Sequence, residues 1–461
     1  MACIGKMLIY NTLTSSKEEF KPIHGKRVKM FVCGITPYDS PHIGNLRTFI
    51  FFDAITKYMR LSGYDVFYLQ NITDIDDKII NRAQEKDAPA MELSDGYLRE
   101  YMDVMKLFSV DSVSFYARAT YHIDEIIEQI RILEEKKYAY RLDDGIYFRV
   151  SAFGDYGKLS GQRSEQLKSG TRVNVAENKE NQGDFVLWKF RKPGEPYWPS
   201  PWGDGRPGWN IEDTAITQEY FGDVYDIHGG GTDLMFPHHE GEIAIMRSIS
   251  GQPVLSNYWM HSGMLTLNGQ KMSKSLNNFL TPEDILKNYS ASEIRFSMLS
   301  SHYRSLADFS IALLEESRKN LNYMRKAIRI LSRSEGKGSG LQYKQYMDDM
   351  KSSMDDDFNT RETITALMEL SGKVIESEDS ISRAESSGIL EVFRWADSFL
   401  SVIFSGDSSR LSPKTVDALL KLRESLRAQK MFRESDSIRN ALRESGIAVE
   451  DNKQGGEWFY E

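Results

Sequence analysis

Phe31-Val32-Cys33-Gly34-Ile35-Thr36-Pro37-Tyr38-Asp39-Ser40-Pro41-His42-Ile43-Gly44-Asn45 joins two kinds of sequence. The residues leading into it, 28 to 35, form a short and mostly apolar run that reads as a buried strand, and Pro37 and Pro41 punctuate its end. Beyond it, Leu46, Phe49, Ile50, Ile55, Tyr58 and Met59 line up as the apolar face of a helix. The chain turns at Ser62-Gly63, and a β-rich run, Val66-Phe67-Tyr68-Leu69, follows. Residues 28 to 72 therefore predict one strand-helix-strand unit of a parallel sheet. Ligands of such sheets sit beyond the carboxyl ends of the strands, where helix N-termini offer N–H groups to anions, and His42 lies at that point.

The sequence has neither a G-x-x-x-x-G-K-[ST] loop nor a G-x-G-x-x-G helix start. A partner for His42 stands far downstream: Lys271-Met272-Ser273-Lys274-Ser275, between Asn268-Gly269 and Asn277-Asn278. Two lysines on a Gly/Asn-flanked loop can close over a triphosphate. Alone, His42-Ile43-Gly44-Asn45 is also what an ordinary helix start provides, and the lysine stretch also reads as a solvated loop. Together, on a strand-helix-strand unit, they resemble the paired signature stretches of class I aminoacyl-tRNA synthetases.

With 461 residues the chain has room for two to four domains. Its 40% hydrophobic and 27% charged content are those of a soluble protein, no apolar run approaches bilayer-spanning length, and no signal-peptide pattern opens it. Cys3 and Cys33 alone exclude a disulfide framework, and the expected location is the cytoplasm. The formal charge of −9 speaks against indiscriminate nucleic-acid binding but leaves room for a local basic surface that recognises one folded RNA.

In chain order, the expected α/β architecture is a Rossmann-like catalytic domain in two halves, 1–110 and 209–260, with an inserted domain over 111–208. A stem-contact region with the lysine loop (261–310), a helical bundle (311–405) and a small C-terminal region (406–461) complete it. Residues 7 to 11 read as an opening strand, and two of Asp74, Asp76 and Asp77 read as caps of the next helix. The Trp/Pro/Gly-rich run 201–213 reads either as a pocket wall or as a packed domain junction. Gly229-Gly230-Gly231 permits close backbone approach to a ligand, and a helix starting at Pro237 would put His238 and Glu242 on one face. That is metal-ligand spacing, though such a pair alone is more often a hydrogen bond. Lys414, Lys421, Arg423, Arg427, Lys430, Arg433, Arg439 and Arg443 read as a basic helical face, solvated or able to contact phosphates.

Taken with Cys33, Trp209 and the His238/Glu242 pair, these stretches resemble the cysteinyl-tRNA synthetase family from end to end. The resemblance extends through Asp155 to Gly161, Ser301-His302-Tyr303-Arg304-Ser305 and Met354-Asp355-Asp356-Asp357-Phe358-Asn359-Thr360. It implies ATP-dependent ligation of cysteine to tRNA(Cys) through a cysteinyl adenylate, with Mg2+ accompanying ATP, and a C-terminal anticodon-binding region. It assigns catalysis to His42, Asn45, Lys271 and Lys274, and ATP contacts to these with Gly44, Met272, Ser273 and Ser275. Amino-acid and adenylate contacts fall to Cys33, Thr36, Trp209, His228, Asp233 and His261. Asn45 stands where the class has a second His, and its amide can donate a hydrogen bond but cannot become cationic. No membrane and a monomeric state are the remaining expectations.

Cysteine differs from serine by one atom, and shape alone in a pocket separates such pairs by roughly 10- to 200-fold. The resemblance implies a zinc ion held by two Cys, one His and one Glu, which fall on Cys33, position 213, His238 and Glu242. Position 213 is Asp213. Asp oxygen ligates zinc at about 2.0–2.2 Å, and the alternative is a metal-free pocket in which these groups hydrogen-bond one another. Two rival functions also fit parts of the chain. One is a ligase that joins activated cysteine to a small amino sugar, which would not need residues 311–461. The other is a non-catalytic tRNA-binding paralogue, which would not need His42, Lys271 and Lys274.

Overall fold

A computed structural model describes residues 6–162, 178–267, 269–271, 280–404, 413–429, 431–444, 447–452 and 455–460. The chain divides into two compact units, Met1–Phe404 and Ser405–Glu461. Five parallel strands run through the first unit in the spatial order Ser256–Ser262, Tyr225–Gly231, Arg27–Ile35, Asp65–Ile72 and Phe115–Arg118. Helix Ile43–Leu61 connects Arg27–Ile35 to its parallel neighbour Asp65–Ile72, as the apolar spacing predicts.

The path of the chain reverses between Arg27–Ile35 and Tyr225–Gly231. From the former the sheet grows one way through residues 65 and 115; from the latter it grows the other way through 256. Such a switch point leaves a crevice beyond the strand ends, because the connections leave in opposite directions. Alternate residues of Arg27–Ile35 serve two cores: Val28, Met30 and Val32 join the core around helix Ile43–Leu61, while Phe31 and Cys33 join that around helices Trp209–Phe221 and Glu240–Ser250. Cys33 is therefore presented toward the helix that carries Asp213.

The expected opening strand forms over Leu8–Asn11 and pairs with Ser16–Glu19 in a hairpin. Two expectations need correcting. The first half of the sheet does not end at residue 110, since Phe115–Arg118 is its outer strand; of these four residues only Ala117 is buried, too little to announce a strand. Among the three aspartates only Asp76 is an N-cap, accepting from Lys78 N–H at 2.9 Å. Asp74 instead pairs with Arg118 at 2.7 Å, and Asp77 with Lys189 and Arg206.

The inserted segment forms a four-stranded antiparallel sheet, in the order Ala139–Leu142, Gly145–Phe148, Phe185–Phe190, Gly205–Pro207. Helices Ile311–Arg333, Tyr343–Asp355, Thr360–Glu376 and Arg383–Leu400 pack as a bundle whose core continues into that of helix Ile43–Leu61. In the second unit, helices Pro413–Ala428 and Phe432–Glu444 precede a hairpin of Ile447–Asn452 and Gly455–Tyr460 around Val416, Leu420, Leu442, Ile447 and Val449. Arg423 is buried there, so it does not belong to the basic face; Lys421, Arg427, Arg433, Arg439 and Arg443 are exposed. Among the described residues no helix is long and apolar enough to cross a membrane.

Candidate active site

A cavity of about 940 Å³ opens at the switch point. His42 caps helix Ile43–Leu61: its backbone is extended, and its Nδ1 accepts from Asn45 N–H at 3.4 Å. His42, Gly44 and Asn45 form one wall, and Thr36, Trp209 and Asp233 also line the space. Lys271 ends strand Gln270–Lys271, paired with Leu265–Leu267, whose first residue lines the same cavity. At the far end of the lysine loop, Leu280 C=O accepts from Ile43 N–H at 3.3 Å. Both ends of the loop are thus held beside the His42 helix. The Lys271 side chain and Met272, Ser273, Lys274 and Ser275 lie outside the described residues.

Cys33, Asp213 and His238 form the floor, with Glu242 buried behind them. Asp213 comes from helix Trp209–Phe221, and Glu242 from helix Glu240–Ser250, which continues a wider helical turn over Met235–His239 whose one extended residue is Phe236, so His238 and Glu242 do share a face. Gly241 lets the two helices approach: a Cβ there would collide with the Asn210 amide. His238 is stacked on Trp209, ring centroids 4.0 Å apart, so Trp209 is both pocket wall and packed junction. His238 Nδ1 donates to Asn210 Oδ1 at 2.8 Å, and its Nε2 faces Asp213 Oδ2 at 2.9 Å and Glu242 Oε1 at 3.1 Å. Cys33 Sγ stands 3.7 Å from Asp213 Oδ2 and 4.0 Å from Glu242 Oε1.

His228 and His261, expected to touch the amino acid, are not among the cavity-lining residues. They stand behind the floor in a hydrogen-bonded series. His228 Nδ1 meets Tyr225 OH at 2.6 Å, and its Nε2 is 3.6 Å from Cys33 Sγ. His239 Nε2 lies 3.2 Å from the same sulfur, its Nδ1 2.8 Å from His261 Nε2, and His261 Nδ1 2.8 Å from Thr12 Oγ1. Sequence reasoning missed His239, whose one signal was its place beside His238. It also missed Glu240, which accepts from Gly157 and Ser160 N–H and anchors the turn at 155–161.

Burial, then Glu242 and Asp213, push the Cys33 thiol well above its ordinary value. Burial, then Asp213, likewise raise Glu242. His228 and His239 are driven well below 6.5 by burial and by the neighbouring imidazoles, and His261 to about 3 by burial, which leaves neutral rings. Among the described residues Glu242 Oε2 has no hydrogen-bond partner, although His228 Nε2 stands 3.5 Å from it. A thiol, two carboxylates and an imidazole that converge in a buried pocket suit a divalent cation, which would take the place of the protons that Cys33 and Glu242 hold without it. Their separations of 2.9–4.0 Å bracket the edge of about 3.3 Å of a tetrahedron around zinc. Two donor sets share Cys33 and Glu242: one is completed by Asp213 and His238, as the family resemblance implies, the other by His228 and His239.

A family model for the class I (C) tRNA synthetase catalytic domain matches residues 19–319, and one for the cysteinyl-tRNA ligase anticodon binding domain matches 411–458. The fold is similar to that of Mycobacterium tuberculosis methionyl-tRNA synthetase in complex with methionyl-adenylate, with a TM-score of 0.61 and 16% identity over 86% of this chain and 94% of that one. Parallel sheet, switch-point cavity and catalytic-domain match together make this chain a class I aminoacyl-tRNA synthetase. It is 49% identical to the cysteine-tRNA ligase of Thermoplasma volcanium, covering 99% of this chain and 100% of that protein. It is 50% identical to that of Thermoplasma acidophilum, covering 98% and 100%. Within the class the chain belongs to the cysteinyl-tRNA synthetase family.

Proposed function

We propose that the switch-point cavity activates cysteine with ATP and passes the cysteinyl group to tRNA(Cys). The observation that carries this reading is the meeting, around one cavity, of the His42 helix start, both ends of the lysine loop and a floor built on a thiol, imidazole and carboxylates. The cysteine carboxylate attacks the α-phosphorus of ATP, pyrophosphate leaves, and a ribose hydroxyl of the terminal adenosine then takes the acyl group. Such chemistry rests on positioning and charge neutralisation. His42 donates to the phosphates, Asn45 donates more weakly through its amide, and Lys271 and Lys274 neutralise the departing pyrophosphate. Thr36, Trp209 and Asp233 hold the amino acid and adenylate.

Cys33, Asp213, His238 and Glu242 would hold a zinc ion, which when bound supplies a soft contact that takes a thiolate in preference to an alcohol. His228, His239 and His261 keep the floor rigid and dry around Cys33. The second unit, with its exposed basic residues and anticodon-domain match, binds the tRNA, and the reaction takes place in the cytoplasm. Pyrophosphate exchange tests the reading. Exchange that depends on cysteine, with serine inert and tRNA accepting the label, is expected. Exchange without transfer to tRNA would favour a small amino-sugar acceptor, and no exchange would leave a tRNA-binding paralogue.

A further inference from the structure

Asn71, the penultimate residue of strand Asp65–Ile72, is 2% exposed and uses both ends of its amide. Its Oδ1 accepts from Gly34 N–H at 2.6 Å, fixing the residue that follows Cys33. Its Nδ2 donates to Asp213 Oδ1 and lies 3.3 Å from Thr73 Oγ1. Gly34 leaves no slack, because a Cβ there would collide with the Asn71 carbonyl. Asp213 therefore has Oδ1 occupied and turns Oδ2 alone to His238 and Cys33.

We infer that Asn71 is the positioning residue of the metal cage: it sets Cys33 and Asp213 together and confines Asp213 to ligation through one oxygen. The inference rests on the reading of Cys33, Asp213, His238 and Glu242 as ligands. A carboxylate offers two oxygens and can rotate between one- and two-oxygen ligation; a thiolate offers one sulfur. An Asp in this position needs an orienting donor that a Cys would not. Groups that orient ligands from behind typically carry about 10- to 100-fold of metal affinity.

The test is the zinc affinity of the full chain, measured by chelator competition, with Co2+ absorption reporting the ligand field. Asn71→Ala is expected to weaken zinc binding by about 10- to 100-fold and to shift the Co2+ spectrum. The same substitution made with Asp213→Cys should cost much less, since the thiolate needs no orienter. Asn71→Ser serves if the alanine variant does not fold. An equal loss in both backgrounds would reduce Asn71 to a support of Gly34 and overturn the inference. Unchanged affinity for Asn71→Ala, together with a loss for His239→Gln, would place the ion on the His228/His239 set and overturn it too. A wild-type chain that takes up no zinc removes the cage reading with it, while cysteine-dependent exchange still reports separately on the activity.

Discussion

The cavity floor and the helical bundle are equally dry but opposite in content. Asp213, His228, His239 and Glu242 are 0% exposed, and so are Leu321, Leu367, Ile389 and Phe393 of the bundle. In the bundle, burial is the stabilising term, about 25 cal/mol per Å² of apolar surface. On the floor, burial opposes charge, as the raised Glu242 and lowered His228 record. The floor keeps its shape because neighbouring structure over-determines it. Part of that support comes from the bundle: Tyr58, on the helix His42 caps, donates to Asp355 at 2.7 Å and packs edge-on against Phe399 at 5.3 Å. The lesson is a division of labour, in which the apolar region stabilises and the polar region is held in an unfavourable state for chemistry.

If that division holds, the two regions fail differently. The largest effect expected is on stability. Phe393→Ala opens a cavity in a closed apolar core and should cost about 3–5 kcal/mol, read as the opening free energy of the bundle amides in hydrogen exchange. Exchange turnover per folded molecule should be unaltered; a rise in the KM for cysteine would show the two regions to be one mechanical unit. Next is His42→Asn, which keeps an oxygen for the cap on Asn45 N–H but moves the donor away from the phosphates. It should slow pyrophosphate exchange by about 10²- to 10³-fold without altering bundle protection. A variant that loses stability instead of rate would make His42 a cap and nothing more.

How much of each region the sequence discloses follows from the same contrast. Apolar spacing is local, so the unit over 28–72 and the helices of 311–400 are visible in the letters. Ser382, with Glu385 as its capping-box partner, starts the last bundle helix inside the Ser/Glu-rich stretch 375–387, where a cap is hidden among polar neighbours. The floor is assembled from residues up to 209 positions apart, Cys33 and Glu242, and periodicity carries no trace of that. His238 and Glu242 show metal-ligand spacing locally, but their union with Cys33 and Asp213 was reachable only through resemblance to a family. Asn71 and His239 were not singled out even so, because an amide at a strand end and a second histidine in a pair read locally as packing. Arg423 shows the converse: a helical arginine among basic neighbours reads as surface until the fold buries it.

The smallest effect expected separates the regions by pH alone. An unfolded histidine takes a proton near pH 6.5, while His228, His239 and His261 stay neutral in the folded state, His261 down to about 3. Below pH 6.5 these three rings bind more protons in the unfolded chain than in the folded one, so their contribution to stability is full above that value and falls as the pH drops; Glu242 and the buried Glu212, both raised, act in the opposite sense and are taken out of the comparison as Gln. Between pH 7 and pH 6 each ring accounts for about 0.7 kcal/mol, roughly 2 kcal/mol for the three. The bundle, residues 311 to 404, contains no histidine. Hydrogen exchange of the metal-free protein carrying Glu212→Gln and Glu242→Gln, corrected for intrinsic rates, should therefore show the amides of Tyr225–Gly231 and Ser256–Ser262 losing protection over this interval while those of Thr360–Glu376 do not. Equal losses in both would mean that the floor opens only when the whole first unit does, and the contrast between a stabilising region and a strained one would then be a difference of composition without a difference of energy.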